Sequence, residues 1–365
     1  MPPTSRACLR ALAPAFAALL SAGCQAGYLL GQARGQARVL WGREPVEAVL
    51  GRPDLDEGTR RKLALVRDAR RFAAEAIGLD VQDNYTTYYD VGGPAVAYAL
   101  TAAPKDALEP VTWWFPIVGR VPYLGFFEKA DGEARRDALR AEGYDVVLRG
   151  VPAFSTLGWF SDPVFSTMLA MEDARLAATV IHELTHATLF IPGEVDFNEN
   201  LATFVGERGA TLFFEKTDGA DSPRARAVAE SFEDARRFGA FLAEMMDGLR
   251  AYYARPVARN DKIEGRQAEF ERWQNRYRTE VVPALHGASY RWFQDARLDN
   301  ALILSLGAYH GGLDLFQRAA EACGGNLARL MKELRFLEQD RGDPAAALES
   351  RLKDPDGFCR PAPER

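Results

Sequence analysis

Beyond residues 1–24 this chain of 365 residues has no long apolar run, so no later segment reads as a transmembrane helix. A basic excess is missing too. The 45 Lys and Arg stand against 51 Asp and Glu, a formal charge of −6 that argues against nucleic acid as a partner. Internal repeats and long low-complexity linkers are also absent. Cysteine is scarce, with four in all. Cys8 and Cys24 lie at the N-terminus, so only Cys323 and Cys359 remain for the body of the chain. In an oxidising compartment they either pair and tie down the C-terminal tail or stay as two thiols without a role, and spacing leaves both open. Histidine is just as scarce, four in the whole chain, yet two stand four positions apart.

Those two belong to His182-Glu183-Leu184-Thr185-His186, an H-E-x-x-H stretch inside an apolar, helix-like run from Ala177 to Phe190. Four residues on a helix make about 400° of rotation, so both imidazoles project from one face, one turn apart. That spacing lets two ring nitrogens share one Zn²⁺, with Glu183 beside the water that completes the shell. The bland alternative is a helix with two surface histidines. Ala177, Ala178, Val180, Ile181, Leu184, Leu189 and Phe190 argue against it, because they make the helix mostly buried, where unpaired imidazoles are costly. Glu199 follows in Asn198-Glu199-Asn200-Leu201-Ala202, which resembles the N-E-x-x-A segment that gives thermolysin-like and aminopeptidase-like zinc enzymes their third ligand. Three protein ligands with an open fourth position mark a catalytic zinc. The competing role for Glu199 is a capping-box-like helix start with Asp196. Glu207, eight residues on and about 12 Å along a straight helix, is expected to support the site, or to replace Glu199 as ligand. Gly206, Gly209 and Ala210 either let this helix pack closely on the H-E-x-x-H helix or mark its end.

Arg6 and Arg10 precede an apolar run from Ala11 to Gly23, too short to span a bilayer, which reads as a signal peptide over 1–23. Ser21-Ala22-Gly23-Cys24 resembles a bacterial lipobox, making Cys24 a lipidated mature N-terminus; the alternative is an ordinary cleaved signal with an incidental cysteine. By resemblance to other lipoproteins, Gln25 in place of Asp favours outer-membrane sorting, so the expected location is the cell envelope, lipid-anchored and facing the periplasm. Losing Arg6 and Arg10 takes the charge from −6 to −8. Residues 24–84 read as an N-terminal helical segment. Within it two helices over Glu44–Gly78 break at Gly51-Arg52-Pro53, the second with Leu63, Val66, Ala73 and Ile77 at helical spacing and closed by Gly78. Residues 85–220 hold short β-rich segments (Ala95–Thr101, Val111–Val118, Val121–Phe127, Tyr144–Gly150), a helix over Glu128–Glu142, and then the metal helices. Residues 221–353 are helix-like and charged, including Arg224–Tyr253 and Lys262–Val281, and 354–365 read as a disordered tail. The fold class is α+β, predominantly α.

The chain resembles, from the lipobox to near residue 340, the bacterial family usually called putative aminopeptidases, predicted zinc-dependent lipoproteins. The resemblance rests on Ala102-Ala103-Pro104-Lys105, the run Trp113–Phe127, Ser155-Thr156-Leu157-Gly158-Trp159-Phe160, and His182 to Gly209. It implies a zincin-like core with a small mixed or antiparallel sheet, and one Zn²⁺ per chain acting on a peptide or protein substrate. Zinc held by His182, His186 and Glu199 would lower the pKa of its water and polarise the scissile carbonyl. Glu183 would take the water's proton and deliver it to the leaving amine. Tyr309 and His310 are the candidate oxyanion donors, with His286 and Tyr290 behind them, each alternatively plain packing. The strand Tyr144–Gly158 would pair with extended substrate, passing the site at Ser155, Thr156, Leu157 and Gly158, or else be an interior strand and its turn. Besides an aminopeptidase, an endopeptidase on envelope proteins and a non-catalytic lipoprotein with a structural metal site stay open, though Glu183 weakens the last.

Overall fold

A helix α1 (31–42) leads into a two-residue strand β1 (Glu44–Pro45) and a short α2 (Val46–Leu50). The computed structural model describes residues 27–29, 31–115, 119–153, 161–310, 313–340, 342–353 and 358–359, with the backbone alone for 308–310. The expected break falls at Gly51, after which Asp56 caps α3 (Glu57–Phe72) by accepting a bond from the Thr59 amide at 2.8 Å. A π-helical turn, Ala73–Ile77, continues α3 until Gly78, whose φ of 76° closes it as a left-handed cap.

The strands that follow are β2 (Thr87–Tyr89), outside the expected β-rich segments, and β3 (Ala97–Ala103), β4 (Trp113–Phe115), β5 (Gly119–Val121) and β6 (Leu124–Phe126), at or beside them. Then come α4 (Lys129–Ala141), β7 (Asp145–Val151) and β8 (Val164–Phe165). Three small sheets result. In the antiparallel β6-β3-β7 sheet, Tyr98 pairs with both Phe126 and Gly150, which leaves β7 as an edge. A mixed sheet joins β1, β2 and β8, and β4 and β5 make a hairpin.

From there the chain is helical: α5 (Asp173–Thr188), α6 (Val195–Asp218), α7 (Pro223–Tyr253), α8 (Arg259–Arg276) with a π-turn Tyr277–Val281, α9 (Asn300–His310), α10 (Leu313–Ala322), α11 (Leu327–Leu334) and α12 (Pro344–Leu352). The described chain is therefore mostly helix with small sheets. The main core wraps α5 and α6 with residues of α3, α10 and α11, while an aromatic core of Phe238, Phe241, Phe270, Trp273, Tyr277 and Phe293 holds α7 against α8. A third, small core sits between the β6-β3-β7 sheet and α4.

One buried polar joint fixes the sheet to the helices. The carboxylate of Asp145, at the start of β7, accepts two bonds from Arg266 of α8, at 2.5 and 3.0 Å, and one from the Asn300 amide of α9 at 3.1 Å. Asn300 in turn donates to the carbonyls of Pro104 and Ala107 and accepts from the Tyr253 hydroxyl. Every member has its partners, which such a joint requires out of water. Cys323 and Cys359 form a disulfide, and Phe358 is buried beside it. At these two residues the tail expected to be disordered over 354–365 is packed, because the covalent bond holds it on the core.

Candidate metal centre

Helices α5 and α6 pack along each other more extensively than any other pair of described elements. Their connection is pinned by a side chain. Asn198 is 2 % exposed, accepts from the Ile191 amide at 2.9 Å and donates to the Ile191 carbonyl at 2.8 Å. Gly193, with φ of 90°, makes the turn that this clamp closes. Gly206 settles the role of the small residues. A Cβ there would lie 2.7 Å from the Ala178 carbonyl oxygen and 3.1 Å from the His182 Cβ, so only glycine lets α6 come this near. Gly209 is similarly tight, at 3.0 Å from both Ile181 and Ile77. These glycines mark a helix contact, not a helix end.

The clamp and the close approach bring Glu199 to the histidine pair. The two Nε2 atoms of His182 and His186 are 3.1 Å apart. The Glu199 oxygens lie 3.5 Å from each, Oε2 toward His182 and Oε1 toward His186. Among the described residues this trio is the one group of three that could hold a metal ion. Ligand atoms about 2.0–2.1 Å from one tetrahedral zinc stand about 3.3 Å apart, so the trio has the edges of a zinc shell. The protonation problem points the same way. His186 is buried with Nδ1 unpartnered and Nε2 facing another imidazole nitrogen, an arrangement that a shared cation resolves. Two imidazoles and one carboxylate suit Zn²⁺, and the residues present fit it.

Glu199 is therefore not the helix cap of the alternative reading: the N-cap is Glu194, and no side chain caps α6. Burial works to raise its pKa, yet bonds and charge from His182 and His186 outweigh this and hold the carboxyl well below its usual range. Glu183 has its pKa raised by burial, against the pull of both histidines. Glu207 stays outside the trio. Its carboxyl is shifted up by burial, and it faces Arg175 and His182 electrostatically, from behind the site.

One cavity of about 830 Å³ opens on His182, Glu183, His186 and Glu199. Its walls include β3, the edge strand β7 through Val147, Arg149 and Val151, and α9 through Leu304, Ser305 and Gly307. Two further residues, Tyr123 between β5 and β6 and Asp196 on α6, also line it. Tyr123 is 41 % exposed yet set in the concavity. Burial, reinforced by the charges of Glu199 and Glu183, pushes its phenol up to about 12. Sequence reasoning missed Tyr123, Asp196 and the clamp Asn198. The nearest signals were the Trp113–Phe127 run and the N-E-x-x-A segment, which name residues without saying where they point.

Other expected site residues fare differently. Tyr309 and His310 end α9, one wall of the cavity, but their side chains lie outside the described residues, as do Ser155, Thr156, Leu157, Gly158 and Cys24. His286 pairs with buried Asp234 at 3.0 Å, Tyr290 stacks on Phe238 at 4.8 Å, and neither lines the cavity. The family model described as "Putative aminopeptidase" matches residues 27–346. Comparisons with curated proteins and with solved structures each return no match.

Proposed function

This chain belongs to the putative aminopeptidase family, and from that premise we propose that it is a zinc-dependent aminopeptidase of the cell envelope with a zincin-like core. The observation that carries the reading is the 3.1–3.5 Å cluster of His182, His186 and Glu199 in one cavity with Glu183. A zinc ion held there supplies a Lewis acid and an acidified water. Glu183, one position from a ligand and in the same cavity, removes the attacking water's proton and passes it to the departing amine. Its burial-raised pKa suits a group that must both take and release a proton. Tyr123 donates its hydroxyl hydrogen to the oxygen on which negative charge develops, in place of the Tyr309 and His310 pair favoured by sequence. The edge strand β7, with Val147, Arg149 and Val151 in the cavity wall, offers backbone for an extended substrate.

Purified protein is expected to carry about one zinc per chain. His182→Ala, His186→Ala and Glu199→Ala should each empty the site, whereas Glu207→Ala retains metal. Glu183→Gln should keep metal and melting temperature while losing peptide hydrolysis. Metal analysis beside a peptide assay decides: stoichiometric zinc in both histidine variants, or full activity in Glu183→Gln, sinks the assignment.

A further inference from the structure

An aminopeptidase must hold the substrate's charged amino end, and the sequence contains no motif for doing so. We propose that Asp196 is the residue that grips the free α-ammonium group of a peptide whose first carbonyl lies at the metal centre, making this an exopeptidase site. The inference rests on the zinc peptidase reading above and adds the substrate class.

Three observations carry it. Asp196 lines the same cavity as the trio and Glu183. It stands on α6 three residues before the ligand Glu199, and residues three apart on a helix are surface neighbours with Cβ atoms about 5–6 Å apart. It is exposed, and among the described residues its carboxylate accepts no hydrogen bond, makes no ion pair and caps no helix end. The charged groups it senses are Arg250 of α7, which already pairs with Asp247 at 2.9 Å, and Glu199 itself.

The spacing matches the ligand. In any peptide the α-nitrogen lies about 2.5 Å from the carbon of its own carbonyl, from the standard bond lengths and angle. An ammonium-to-carboxylate bond adds about 2.8 Å. A gripping oxygen therefore belongs about 5 Å from the scissile carbon, a reach that suits a side chain one helical turn from Glu199 in the same cavity, as Asp196 is. An acetylated amino end lacks the charge and brings an acetyl group into that space. Glu109, the other acidic group of the cavity apart from Glu183 and Glu199, comes from a loop that carries no ligand, so nothing ties it to that distance.

The test uses the full-length Glu183→Gln protein, whose zinc is measured, so that binding is read without turnover. A free-amine tetrapeptide should bind at least about tenfold tighter than its N-acetyl form, a charge-assisted bond's worth. Adding Asp196→Asn should erase that preference with zinc content and melting temperature unchanged, and Asp196→Glu should restore part of it. Equal binding of the two peptides, or a preference that survives Asp196→Asn, overturns the proposal. Loss of preference in Glu109→Gln but not in Asp196→Asn overturns it too. The peptidase reading fails separately, if wild-type protein with its zinc hydrolyses neither peptide. Hydrolysis of the acetylated peptide as fast as the free one leaves a peptidase but not this specificity.

Discussion

Tyr123 is kept a hydrogen-bond donor by its surroundings. A phenol pushed up to about 12 by burial and by the charges of Glu199 and Glu183 holds its proton until the pH approaches that value. Donation to the developing oxyanion is thus not lost to tyrosine ionisation in any ordinary assay. In the proposed role, Tyr123→Phe removes one oxyanion donor, expected to cost about 10²–10³ in kcat. Zinc content and KM should change little, since neither the ligands nor ground-state binding is touched. Steady-state kinetics with metal analysis check this, and an unchanged kcat excludes Tyr123 from the chemistry. The residue was not legible beforehand. Twelve tyrosines are spread along the chain, and no local pattern separates the one that faces a cavity. The histidine pair was legible because both members lie on one helix face, a geometry that four residues of sequence already determine.

At the level of elements, the α5–α6 contact positions Glu199 beside the histidine pair, as the proposed third ligand. Gly206 sits against the Ala178 carbonyl and the Cβ of His182, so a side chain there pushes on the ligand's own backbone. Gly206→Ala should therefore destabilise the fold by about 1–3 kcal/mol, the usual cost of overfilling a packed contact. It should also weaken zinc binding, because a shift of a few tenths of an ångström at His182 spoils distances of 3.1–3.5 Å within the trio. Thermal melting with and without a chelator reads both effects. A Gly206→Ala protein with wild-type melting and metal affinity would show that the helices do not meet there in solution. Helix α6 could be read from its apolar periodicity, and its start was placed within one residue, at Val195 for the expected Asp196. The strands were harder. Among the described residues β4 covers Trp113–Phe115 of the Val111–Val118 segment, and the β1-β2-β8 sheet went unseen, because pieces of two or three residues carry no periodicity.

Across the whole molecule, the disulfide links residues 36 apart, closing a loop worth about 4 kcal/mol in unfolded-chain entropy. Such bonds persist in oxidising compartments, the kind of compartment that the proposed envelope location would provide. No described helix is long and apolar enough to cross a membrane. The attachment we propose is a lipid on Cys24, whose acyl chains would contribute about 0.8 kcal/mol per buried CH₂. Wild-type protein should sediment with outer membranes, and Cys24→Ser should appear as a soluble or unprocessed species. Wild-type protein found free in the periplasmic fraction contradicts the anchor.

Sequence by itself pointed to the candidate metal pair, the proposed general base and the order of helices, because each depends on residues near one another along the chain. It also named Glu199, through the spacing of a recognisable segment. Tertiary structure alone set Glu199 beside the histidine pair and not at a helix cap, left Glu207 outside that group, and paired Cys323 with Cys359. It alone brought Tyr123 and Asp196 into the cavity, and it joined Asp145 to Arg266 across 121 residues. Such pairings are set by how helices and sheets pack, and packing depends on the summed fit of many distant side chains, which no local pattern encodes.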